Sequence, residues 1–118
     1  MALKLSSRQQ AQLSYLETLP PKLRRIHSVI EEMTTARPDE VVVRGLARLL
    51  EEIKGNSSGL SLGALANTAG QMATVTRRGG GIQMKVRGLR ELLGSLKINY
   101  EAAMRMATTP VSPTPDQS

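Results

Sequence analysis

The sequence predicts an all-α protein, an antiparallel up-and-down four-helix bundle with a short N-terminal lead-in helix. Apolar residues make up 40% of the chain but aromatics only 2%, with two Tyr and neither Phe nor Trp. A core must then come from Leu, Ile, Val, Met and Ala, which suits packed helices better than a sheet of aromatic and β-branched residues. Apolar residues also recur at spacings of three and four almost throughout residues 1–107, the period of one helix face. Proline pairs and glycine runs interrupt that period at a few points only, where helices would end and restart.

Leu5, Leu13 and Leu16, with Ser6 or Ser7 as N-cap, predict the short first helix. Pro20 and Pro21 stop it and open the next, proline being tolerated in a first turn. Leu19, Leu23, Ile26, Ile30 and Met33 then form a single stripe. Pro38 with Asp39 and Glu40 opens the third helix and puts negative charge at its N-terminus. Its stripe is Val42, Leu46, Leu49 and Ile53, widened by Val43 and Leu50. Leu62, Leu65, Ala69, Met72 and Thr76 mark a weaker fourth helix, and Gly79-Gly80-Gly81 breaks the chain after it. Ile82, Val86, Leu89, Leu93, Leu96, Tyr100 and Ala103 make the most regular stripe. The remaining segment, 108–118, holds three prolines and one large apolar residue, and reads as a disordered tail beyond a 1–107 bundle.

The same composition excludes several function classes. Without cysteine there is no disulfide and no thiolate zinc site. The single histidine, His27, gives neither a protein-only metal cluster nor a Ser-His-Asp triad, so neither cofactor, metal nor enzyme activity is expected. His27 itself reads as a half-buried residue at the edge of its helix's apolar stripe. The start of the chain has no apolar run behind a basic end, and no stretch nears the ~18 apolar residues of a spanning helix. A cytoplasmic location without membrane contact is the expectation. The six methionines read as gap fillers of the core.

At about 100° per residue, Arg44, Arg48, Glu51, Gly55 and Ser58 fall opposite the third helix's apolar stripe, with Lys54 at the edge. Glu51, Gly55 and Ser58 stack along one line. Glycine inside a helix costs about 1 kcal/mol relative to alanine. Either the bare position admits another protein's backbone, or the helix ends nearby at Asn56-Ser57-Ser58-Gly59.

The segment from Leu50 to Leu62, LEEIKGNSSGLSL, resembles the active helix of histidine-containing phosphotransfer (HPt) domains, whose pattern reads A-H-x-[IL]-K-G-x-x-x-x-[LV]-G. Ile53, Lys54, Gly55 and Leu60 match it in type and spacing. Leu19, Pro20, Lys22 and Leu23 fit the L-P-x-[KR]-L common in the preceding helix. Two departures stand out: Glu51 occupies the place of the phosphorylatable histidine, followed by Glu52, and Ser61 the place of a glycine. A carboxylate lacks the imidazole nitrogen, is a weak nucleophile and would give a hydrolysable acyl phosphate.

The resemblance therefore implies a pseudo-HPt domain. It would dock a response-regulator receiver domain or a histidine kinase without relaying phosphate, as inhibitor or adaptor of a phosphorelay. Its expected docking residues are Arg48, Glu51, Glu52, Lys54, Gly55 and Ser58, with Gln71 of the next helix at their border. The expected state is a monomer or weak dimer.

Between Arg77 and Arg105, seven basic residues face two glutamates, 7 − 2 = +5 of the total +6. A solvated helix face accounts for them, and they could also steer an acidic partner. An ordinary helical interaction module, such as a small chaperone or dimerising subunit, is the alternative reading. A nucleic-acid-binding bundle is less favoured, since nothing aromatic interleaves the basic residues. Glu51 and Glu52, like Asp39 and Glu40, diverge by about 100° on a helix and are poorly placed as an acid/base pair or metal site.

Overall fold

Five helices and their short connections account for residues 4–35 and 39–110, which the computed structural model describes. They are α1 (Ser7–Leu16), α2 (Leu19–Thr35), α3 (Glu40–Gly59), α4 (Gly63–Arg77) and α5 (Ile82–Thr108). No strand occurs among the described residues.

Local chemistry sets each start. Ser6 caps α1: its hydroxyl accepts the Gln9 N–H at 3.0 Å, while the Gln9 side-chain carbonyl accepts the Ser6 N–H at 2.9 Å. This is a reciprocal box that satisfies two otherwise orphaned donors. Pro20 and Pro21 lie in the first turn of α2, where no N–H is required of them. The Asp39 carboxylate accepts the Val41 N–H at 3.0 Å and caps α3; Pro38 lies outside the described residues. Gly81 is the N-cap of α5, and Gly80 takes a left-handed φ of 125° in the turn before it.

The core is one cluster drawn from every helix. Leu16, Leu19, Ile26, Ile30, Leu50, Ile53, Leu65, Met72, Leu89 and Leu96 are its most deeply buried large side chains. The expected stripe of α2 is buried in full, with Val29 added. On α3 the inward face is turned toward Ala47 and Leu50; Leu49 is only half-buried, while Ala47 and Ser57 are buried. The turn follows from the packing, because α4 lies along α3 more extensively than along any other helix. Ala47 and Ser57 are small enough to let the two come close. Helix α5 touches α1, α2 and α4. Thr68 donates its hydroxyl hydrogen bond to Asn99 at 2.6 Å, and a Cβ added at Gly88 would meet Val75 at 3.7 Å.

Four expectations are corrected. Met33 and Met72 fill the core, but Met84 and Met106 are largely exposed and fill no gap. Ile82, placed in the α5 stripe, is 37% exposed at the helix's first turn, where it lines open clefts with Met33 and Ala47 instead of the closed core. His27 is exposed rather than half-buried, since the inward face of α2 is already filled by Ile26, Val29 and Ile30. Helix α5 takes in Thr108, and the Gln9 amide holds its end by donating to the Met106 and Thr109 carbonyls at 3.0 and 2.6 Å. The rest of the expected tail, 111–118, lies outside the described residues.

Candidate functional site

Helix α3 does not stop at Gly55 but runs a further turn to Gly59. Gly55 is therefore an interior helical residue on an exposed face. A Cβ built there meets no atom within 4 Å. Neither packing nor backbone conformation inside this molecule calls for glycine at that point. Gly45 and Gly94 are equally open, but Gly55 alone stands among charged residues in the motif's spacing.

Arg48, Glu51, Glu52, Lys54 and Ser58 are all exposed around it, yet they do not form one flat patch. Because α3 is turned, Glu51, Lys54 and Ser58 lie on its edge toward α4. Glu52 faces α2, whereas Arg48 points outward between the two strips and lines a cleft shared with Arg77 and Lys85. The two adjacent carboxylates diverge: Glu52 accepts from Lys22 of α2 at 3.0 Å, whereas Glu51 accepts from the guanidinium of Arg77 of α4. Lys22 also lies 5.8 Å from the Tyr15 ring centre, within cation–π reach.

Arg77 dominates the electrostatics at Glu51. Its hydrogen bond holds the Glu51 carboxyl below the usual carboxylate range; partial desolvation works against this, and the charges of Arg77 and Lys54 reinforce it. The same bond raises Arg77 above its ordinary value. Lys54 does not extend into solvent. Its stem lies across Gly70 of α4, where an added Cβ would meet Lys54 Cδ at 3.2 Å. A carboxylate engaged in this way is a poorer nucleophile than a free one, its charge compensated and one oxygen occupied.

Gln71 is exposed on α4 but about 100° around the helix from Gly70, toward the α5 side. Gly70 borders Lys54, and Arg77 pairs with Glu51. Sequence reasoning missed the part played by Gly70 and Arg77. The signal was the register of a helical hairpin folded about Leu60–Leu62, which brings position 54 opposite 70; the length of arginine then lets Arg77 reach Glu51.

In that connection Ser61 has φ 61°, the one positive φ outside glycine among the described residues. L-residues adopt this left-handed conformation at a cost of roughly 1–2 kcal/mol. Helix α4 follows without a side-chain cap, its first N–H groups facing the turn. Among the described residues no group of three or more His, Asp or Glu side chains is gathered to hold a metal ion, and no helix is long and apolar enough to cross a membrane. Comparison with protein-family models, curated proteins and solved structures found no match to the chain.

Proposed function

We infer that this chain is an HPt-like docking protein that has lost the relay residue. In this reading its helices form an antiparallel up-and-down bundle led in by α1, an order supported by the opposed pairs Thr68–Asn99 and Val75–Gly88. The observation that carries the function is Gly55: a side-chain-free position inside an unbroken, solvent-facing helix, one step from Lys54 and one turn from Glu51. A receiver domain or histidine kinase would approach the helix closely there. The left-handed backbone at Ser61 adds support, since it falls where the family pattern carries glycine.

Glu51 removes the nucleophile rather than imitating a phosphoryl group. Its charge is met by Arg77, with Lys54 beside it, so the edge of α3 toward α4 presents Lys54 and Arg77 against one carboxylate. That balance suits the acidic pocket of a receiver domain. The protein then competes for a phosphorelay partner, or holds one, and transfers nothing.

The test is binding to a panel of receiver and kinase domains by wild type and Gly55→Gln, with phosphotransfer to wild type and Glu51→His followed by intact mass. The expected result is binding by wild type, loss with Gly55→Gln, and a phosphate adduct in Glu51→His alone. Equal binding by Gly55→Gln moves the docking face elsewhere; no binding to any such domain ends the reading.

A further inference from the structure

At the end of the bundle where α2 and α4 finish and α3 and α5 begin, two clefts meet. One, about 540 Å³, lies between the first turns of α3 and the α4–α5 turn, floored by Met33, Val43, Ala47 and Ile82. The other, about 670 Å³, lies between the end of α2 and the start of α5, with Met84 and Val86 in its wall. Met33 and Ile82 line both, so they form one groove with an apolar floor. Met84 is 80% exposed and Val41, on the adjoining turn of α3, 70%. Large apolar side chains left in water beside a concave surface mark a contact site more often than chance placement.

The groove's rim is strongly basic. Six cations line it against Glu40 and Glu91. Three are already engaged: Arg44 with Glu40, Arg77 with Glu51 and Arg90 with Glu31. Arg48, Lys85 and Arg87 meet no carboxylate among the described residues; Lys85 reaches only the Thr76 carbonyl, at 3.5 Å. An apolar floor under unpaired cations is complementary to a chain segment with apolar side chains on one face and carboxylates on the other. A flat bilayer would not enter a concave groove, and duplex DNA has no apolar face to match its floor.

We propose that this groove binds an acidic amphipathic helical segment of a partner protein, its apolar face on Val43, Ile82 and Met84 and its carboxylates toward Arg48, Lys85 and Arg87. The inference does not rest on the phosphorelay reading.

Fluorescence anisotropy on the full chain tests it. The probe is a labelled peptide of about 20 residues with Leu at helical spacing on one face and Glu on the other. Comparison ligands are the same composition with the spacing scrambled, polyglutamate, phosphatidylcholine–phosphatidylserine vesicles and a short DNA duplex. Saturable binding of the amphipathic peptide is expected, weakened about fivefold or more by Lys85→Glu with Arg87→Glu, and severalfold by Met84→Ser. Lys97→Glu, exposed elsewhere on α5, should leave it unchanged, as should Gly55→Gln. Circular dichroism confirms that each variant is folded. Equal binding of the scrambled peptide or polyglutamate, equal weakening by Lys97→Glu, or binding only to vesicles or DNA overturns the proposal.

Discussion

Replacing Gly55 by alanine separates the demands of the fold from those of a partner. Glycine within a helix is less favourable than alanine by about 0.5–1 kcal/mol, chiefly because the unfolded chain loses more freedom on ordering. The new methyl would meet no atom within 4 Å, so no steric penalty offsets the gain. Gly55→Ala should therefore stabilise the protein by about 0.5–1 kcal/mol, raising the Tm by roughly 2–5 °C for a domain of this size. Thermal and urea unfolding followed by circular dichroism measure both. Gly70→Ala is the control, since its Cβ would press on Lys54 Cδ at 3.2 Å and must displace that side chain, so its gain should be smaller. A neutral or destabilising Gly55→Ala would refute the claim that the fold has no use for glycine there. Gly55→Gln should share the stability gain while abolishing receiver binding, a combination that misfolding cannot produce.

Three further outcomes follow from other contacts. Ser61→Gly should raise stability by up to about 1 kcal/mol, the left-handed strain relieved exceeding the extra chain entropy, whereas Ser61→Val should lower it by more than that; urea midpoints decide, and the reverse order would refute the strain. Gln9→Ala removes the side-chain half of the Ser6 box and both bonds to the end of α5, a loss of about 2–3 kcal/mol at about 1 kcal/mol per bond, with hydrogen exchange rising at both helices together. The Glu51 and Glu31 carboxyls are held below the usual range by their arginine hydrogen bonds. Their contribution is therefore present above the ordinary carboxylate range and is lost as pH falls through the depressed values. The stability gap between wild type and Arg77→Gln with Arg90→Gln should be open at neutral pH and close in acid; a gap that does not change with pH counts against the pairs.

Most of the helical frame was legible because it is written in local chemistry. Ser6, Asp39, the Pro20-Pro21 pair and the glycine run each act within a few residues of themselves, and the α2 stripe is buried as its spacing predicts. Faces were harder. The 3.6-residue period fixes that α3 is amphipathic, but whether Leu49 or Ala47 points inward depends on where α4 lies, and small residues such as Ala47 and Ser57 decide that while adding little to the apolar stripe. The exposure of Ile82 is invisible for the same reason: the α5 stripe begins in the helix's first turn, at the rim of the core. At the candidate site, Glu51, Lys54 and Gly55 were visible as a spacing, while Arg77 and Gly70 belong to it only through the α3–α4 register.

The hold of Gln9 on the last turn of α5 has a consequence for how the molecule can be joined to anything else. It brings Ser6 and Thr109 to one pole, while the basic groove opens at the other, the length of α5 away; 27 residues at 1.5 Å make that about 40 Å. The pole at Ser6 and Thr109 carries only a smaller cleft, about 250 Å³, beside Leu62, Ala103 and Met106. Labels at positions 6 and 109 therefore lie beside one another, and both lie far from the basic groove.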